Sequence, residues 1–127
     1  MKEKSFQSTF SRWCKYYFCE TAAFELKLTK KNNIPFSAVV PHQVQALLCA
    51  KHSKLIHKIP DLGNQNPFDS FILHCAEAYV VIMFYKRGQK EFIMIDIDEW
   101  VLEDRISKRR SLTEKRAKEI GKICYLK

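Results

Sequence analysis

The sequence predicts an α/β fold, a mixed β-sheet flanked by helices, and three observations predict it. Aromatic residues recur at helical spacing near the N-terminus, and a segment of strict alternation follows. Further on, the run AYVVIMFY is apolar throughout, as a strand covered on both faces must be. The order helix, strand, helix, several strands, helix then points to one mixed sheet rather than separate helical and sheet units.

Each element has a local reason. Phe6, Phe10, Trp13 and Tyr17 fall at i, i+4, i+7 and i+11, so residues 5–18 read as an amphipathic helix with a core-facing stripe. Over Ala22–Leu28, Phe24, Leu26 and Leu28 point one way while Glu25 and Lys27 point the other, which is strand patterning. Lys30–Asn33 is a polar turn. Pro41 suits the first residue of a second helix, His42 to Lys54, which buries Val44, Leu47 and Leu48. Leu55–Ile59 is a short apolar run, and Asp61–Pro67 (DLGNQNP) reads as a loop. Phe68–His74, Ala78–Lys86 and Glu91–Ile97 are strand candidates, the last two joined through Arg87, Gly88, Gln89 and Lys90 as a hairpin. Glu99–Asp104 predicts a helical turn or short helix. Ser111 and Glu114 have capping-box spacing for a last basic helix, about 111–121, that ends at Gly121.

With 127 residues, the chain has the size of one domain, 1–127. A composition 46% hydrophobic and 28% charged, with 3 Gly and 4 Pro, excludes a disordered or collagen-like chain. No apolar run approaches the roughly 18 residues of a membrane helix, and MKEKSFQSTFSRW has no signal-peptide centre, so a cytoplasmic protein without membrane contact is expected. Cys14, Cys19, Cys49, Cys75 and Cys124 form no CxxC, which argues against structural zinc and a disulfide framework.

The formal net charge is +8, and residues 105–127 hold 9 Lys+Arg against Glu114 and Glu119, a balance of +7. A polyanion suits such a segment, and Lys108, Arg109, Arg110, Lys115 and Arg116 are the candidate nucleic-acid contacts. The competing reading is a solvated helix face.

One triplet carries candidate chemistry. Metal-assisted phosphodiester hydrolysis needs carboxylates that hold a hard cation and a lysine that acts on water or phosphate. Glu25-Leu26-Lys27 is the sole acidic-x-Lys triplet in the sequence, and a strand puts both charged side chains on one face about 7 Å apart. An isolated triplet of this kind is more often a solvated pair, so its surroundings decide. Asp69 opens the strand after the polar loop and is placed to meet Glu25 from a neighbouring strand; Asp61 reads as a turn residue. His42 and Gln43 stand in the first turn of the second helix, where a phosphate or a lysine can be contacted. His52, His57 and His74 share no metal-ligand spacing, and Asp96, Asp98, Glu99, Glu103 and Asp104 read as residues that cap and solvate a turn.

The ordered set AFELKLTKKNNIPFSAVVPHQVQALL and AYVVIMFY resembles the PD-(D/E)xK nuclease superfamily, with the nearest likeness to RecU-type Holliday junction resolvases and their phage-encoded relatives. The likeness covers about residues 22–104 and implies a restriction-endonuclease-like sheet. It also implies Glu25 as a metal ligand, Lys27 as the catalytic lysine and Gln43 as the supporting glutamine. Mg²⁺ or Mn²⁺ would be the cofactor, junction or branched DNA the partner, and a homodimer in a bacterial or phage-infected cell the setting. The family places an Asp on a strand before E-x-K, and none precedes Glu25 here. A rearranged strand order that brings in Asp69 is the expected remedy, with Glu20 as the substitute second ligand. The alternative is a non-catalytic DNA-binding protein with a degenerate nuclease fold. A metal-independent ribonuclease would need a compact His/Arg/Tyr set, and none stands out.

Overall fold

In the computed structural model, residues 1–18, 20–59 and 69–126 are described. Helix α1 (Glu3–Tyr17) is followed by β1 (Ala22–Thr29), the short strand β2 (Asn33–Pro35) and a 3₁₀ turn, η1 (Phe36–Ala38). Then come α2 (Pro41–His52), the hairpin strands β3 (Lys54–Lys58) and β4 (Ser70–His74), and the strands β5 (Glu77–Phe84) and β6 (Glu91–Asp96). The chain ends with α3 (Ile97–Ile106), β7 (Ser111–Thr113), α4 (Glu114–Ile120) and β8 (Lys122–Tyr125). The fold is α/β, with a mixed four-stranded sheet in the order β1-β5-β6-β8.

Strand β1 runs parallel to β5, and β5–β6 and β6–β8 are antiparallel. Helix α2 connects the parallel pair, as such a pair requires. Strand β5 has the two-sided burial that its composition predicts. Val80, Ile82 and Phe84 pack in one core with Ile93, Ile95 and Trp100, beneath α2, α3 and α4. Val81 and Met83 pack on the opposite face with Phe6, Phe10, Phe92 and Met94, beneath α1. The α1 stripe docks through Phe6 and Phe10, whereas Tyr17 is half exposed. Alternation on β1 is as predicted: Phe24, Leu26 and Leu28 join the α1 side, which leaves Glu25 and Lys27 on the α2 side.

Several elements differ from the sequence expectation. Helix α2 stops at His52, so Lys54 belongs to β3. Helix α3 is the short helix expected over Glu99–Asp104 extended to ten residues, because the Asp96 carboxylate accepts from the Asp98 N–H at 2.9 Å and caps it early. The expected capping box does not form. Ser111 lies in β7 opposite Pro35, and Thr113 caps α4 by accepting from the Arg116 N–H at 3.2 Å. Glu114 turns instead to Lys86 and Lys118. Strands β2 and β7 form an antiparallel ribbon where the sequence predicts a turn up to Asn33 and a helix capped at Ser111, and β8 extends the sheet beyond the expected end.

Two glycines have distinct reasons. Gly88 has φ +83 in the β5–β6 turn, a conformation that costs other residues more. Gly121 ends α4 without a left-handed backbone; there a Cβ would lie 2.7 Å from Ile93 Cγ2 and 2.9 Å from the Met94 carbonyl oxygen. Gly121→Ala therefore forces β6 or α4 to shift, at an expected cost of about 1–3 kcal/mol in urea denaturation. An unchanged midpoint would show that the two elements yield freely.

Candidate functional site

Three residues from two elements converge on the α2 side of β1. The Lys27 ammonium lies 3.2 Å from Glu25 Oε1, and Gln43 Nε2 donates to the same oxygen at 3.0 Å. Gln43 is itself held, because its Oε1 accepts from the Val40 N–H at 3.1 Å. This bond satisfies one of the free amides at the start of α2 and fixes which end of the amide faces Glu25. Pro41 at the first helical position sets the turn that makes the arrangement possible. Both contacts fall on Oε1, so Oε2 has no hydrogen-bond partner among the described residues, and the Glu25 side chain retains 26% exposure. The carboxylate is thus oriented by one oxygen and open at the other.

The remaining sequence candidates are not in this cluster. Strand β4 pairs with β3 in a separate two-stranded sheet, and the neighbour of β1 is β5. The expected approach of Asp69 to Glu25 through adjacent strands is therefore not formed. Asp69 instead stands at the distal end of the hairpin, where its carbonyl accepts from the Ile59 N–H at 2.7 Å. The five-pair register from Lys54↔His74 to Lys58↔Ser70 sets it about 17 Å along the hairpin from its base. Glu20 is exposed just before β1, and its charge acts on Tyr79, whose ring stacks on Phe24 on the opposite face of the sheet. His42 is exposed in the first turn of α2. Residues 60–68, and with them Asp61 and the stretch Asp61–Pro67 expected to be a loop, lie outside the described residues, as does Cys19. Among the described residues no group of three His, Cys, Asp or Glu is placed to hold a metal ion.

The basic candidates divide in two. Lys108, Arg109 and Arg110 are exposed in the segment between α3 and β7 and have no ion pair among the described residues. They border a cleft beside the first turn of α2. Lys115 is also exposed, near Lys86 and Lys118. Arg116, by contrast, donates to both oxygens of the buried Glu103 at 2.9 and 3.2 Å and to Glu119 at 2.9 Å. Its guanidinium ties α4 to α3 and is held firmly protonated by those carboxylates. Lys118 is similarly occupied with Glu91 and Glu114.

No protein-family model matches this chain, and no match exists among curated proteins or solved structures.

The sequence reading missed one network. Lys51, at the end of α2, lies 2.7 Å from Asp96 and 2.8 Å from Asp98, and His52 Nε2 lies 2.7 Å from Asp98 Oδ1. The spacing of Asp96 and Asp98 suggested only a cap; the partners are 45 and 46 positions away and give no local signal. Hydrogen bonding from Lys51 holds the Asp98 carboxyl below the usual range, against partial burial, and His52 adds to the effect. Burial opposes the charge of Lys51, but its bonds to Asp96 and Asp98 prevail and hold it protonated above the ordinary lysine range. A depressed carboxyl contributes stability above its unfolded pKa and loses it as pH falls through its folded one. Asp98→Asn should therefore lower the Tm at neutral pH, and the gap to the unmodified chain should narrow below about pH 4. A gap that stays constant through the acid range would remove this account.

Proposed function

We propose that this chain is a metal-dependent DNA endonuclease, of the Holliday junction resolvase type, acting on branched DNA in recombination or phage DNA processing. The observation that carries the reading is the convergence of Glu25, Lys27 and Gln43, two of which lie 18 positions apart. These are the residues that the sequence resemblance selects, and they meet beside the α2-side core with part of their side chains still exposed.

The donor set fits a cation held by one protein carboxylate, with water and substrate phosphate oxygens completing the shell, as Mg²⁺ commonly accepts. Glu25 is the residue that would hold it, through the open Oε2. Mn²⁺ suits the same oxygen donors. Such an ion supplies Lewis acidity and lowers the pKa of a bound water.

The work of the chain's own residues follows from their positions. Gln43 fixes the carboxylate through Oε1, so Oε2 need not reorganise when a ligand arrives. Lys27 is paired with Glu25 in the free protein. Neutralising that carboxylate releases the ammonium to orient water or to meet charge that develops on a phosphate oxygen. Lys108, Arg109 and Arg110, which have no carboxylate partners among the described residues, supply the electrostatic contact with the DNA backbone. A symmetric junction has two strands to cut, so two copies of the chain would act together.

A second reading has its own observation: Glu25 is the one carboxylate in the cluster among the described residues. In that reading the protein binds DNA without cutting it.

Cleavage of branched and linear DNA, with and without Mg²⁺, separates the two. Glu25→Gln should abolish Mg²⁺-dependent cleavage while DNA binding persists, and Lys27→Ala should lower the rate by about 10²–10³-fold. Asp69→Asn should cut at close to the unmodified rate, because β4 pairs with β3. Binding without cleavage by the unmodified chain would establish the second reading.

The charge assignment is tested separately. Replacing Lys108, Arg109 and Arg110 with Ala should flatten the log–log salt dependence of DNA binding by about 0.9 for each lost phosphate contact. Arg116→Gln should leave that slope unchanged and lower the Tm, since it abandons Glu103. A reversed pattern would place the DNA on α4.

A further inference from the structure

We infer that the cleft between η1, the first turn of α2 and the segment after α3 binds an unpaired nucleotide of a single-stranded stretch of nucleic acid. This rests on the nucleic-acid reading above and deepens it by naming the structural feature that the protein recognises.

The cleft has a volume of about 800 Å³, within the range of small-ligand sites. Its floor is apolar, made by Phe36, Val39, Pro41 and Val44. Its rim carries Lys108, Arg109 and Arg110. A nucleotide has the same two ends, a flat base that gains from leaving water and an anionic phosphate. Between floor and rim, Ser37 offers a hydroxyl suited to a sugar, whereas that of Ser107 donates to the Arg109 carbonyl at 3.2 Å and accepts from the Arg109 N–H at 3.1 Å. Asp104 is the single carboxylate of the lining among the described residues. It repels phosphate and accepts from exocyclic amines, so it favours an orientation with the base inward and the phosphate at the rim.

The cleft is also preformed. The Phe36 N–H donates to the Arg110 carbonyl at 3.0 Å, and Pro35 pairs with Ser111, so the β2–β7 ribbon joins floor to rim. Phe36 is braced from behind by the Trp100 ring at 5.2 Å. A base within a duplex is stacked on both faces and cannot enter a concavity of this kind; an unpaired one can. An acidic peptide would satisfy the rim but would bring further carboxylates toward Asp104 and leave the floor unused.

The cleft and the Glu25 cluster share the first turn of α2. Gln43 faces β1 and holds Glu25, while Pro41 and Val44 face the cleft. A strand with one unpaired nucleotide in the cleft therefore has its neighbouring backbone beside that turn.

The test measures binding, with EDTA present so that cleavage plays no part. Fluorescence anisotropy compares a short single-stranded oligonucleotide with a fully paired duplex, using the full chain. Val44→Trp, which fills the floor, should weaken single-strand binding by about tenfold and change duplex binding by less than about twofold. Ser37→Leu, uncharged and at an exposed position, narrows the same cleft, should do the same and serves if Val44→Trp fails to fold by circular dichroism. Equal losses on both ligands, no loss on either, or no single-strand binding by the unmodified chain would overturn the inference. So would displacement of the oligonucleotide by oligoglutamate at equal charge, which would make the cleft a simple anion site. Failure of the hydrolytic reading shows only in the Mg²⁺ cleavage assay and leaves this selective loss intact.

Discussion

Burial of β5 on both faces is the constraint on which the rest of the structure depends. Val80, Val81 and Ile82 have no exposed surface, and Met83 and Phe84 have almost none. Each such side chain contributes about 1.5–3 kcal/mol when removed from water, so the strand must be covered on both sides. Helix α1 supplies one cover, and α2, α3 and α4 supply the other. Because β1 pairs in parallel with β5, α2 must return along the sheet and so starts near the level of Glu25 and Lys27. The polar cluster is a consequence of how the core is closed.

Much of this was legible in the sequence. A period of two on β1 settles that Glu25 and Lys27 share a face, and unbroken apolar character in AYVVIMFY marks the central strand. What escaped was long-range and short in extent. The β2–β7 ribbon joins Ile34 to Leu112 through three residue pairs, too few for any periodicity to register. The bond between Gln43 and Glu25 depends on the rotation of α2 over β1, which no spacing encodes. Asp69 looked like a displaced ligand because it opens a strand, but the identity of that strand's partner is a tertiary fact.

The charge of the chain also changes meaning once it is folded. Residues 105–127 carry most of the excess, but Arg116 and Lys118 are matched to Glu103, Glu119, Glu91 and Glu114. Their work is to fasten α4 to α3 and β6. Lys108, Arg109 and Arg110 have no such match among the described residues, as is also true of Arg105, Lys115 and Lys122, and the three consecutive residues 108–110 are held near Phe36 by the ribbon. A basic helix in sequence has become a basic edge on a cleft.

Among the described residues β1 pairs on one side alone. Its outer flank offers main-chain donors and acceptors to any passing strand, and apolar side chains there would make it adhesive. Half-buried charges on such a flank oppose pairing, since a docking strand would have to strip them of water. Glu25 and Lys27 occupy that position. The residues proposed for chemistry thus also make this edge an unfavourable one for a second strand to join.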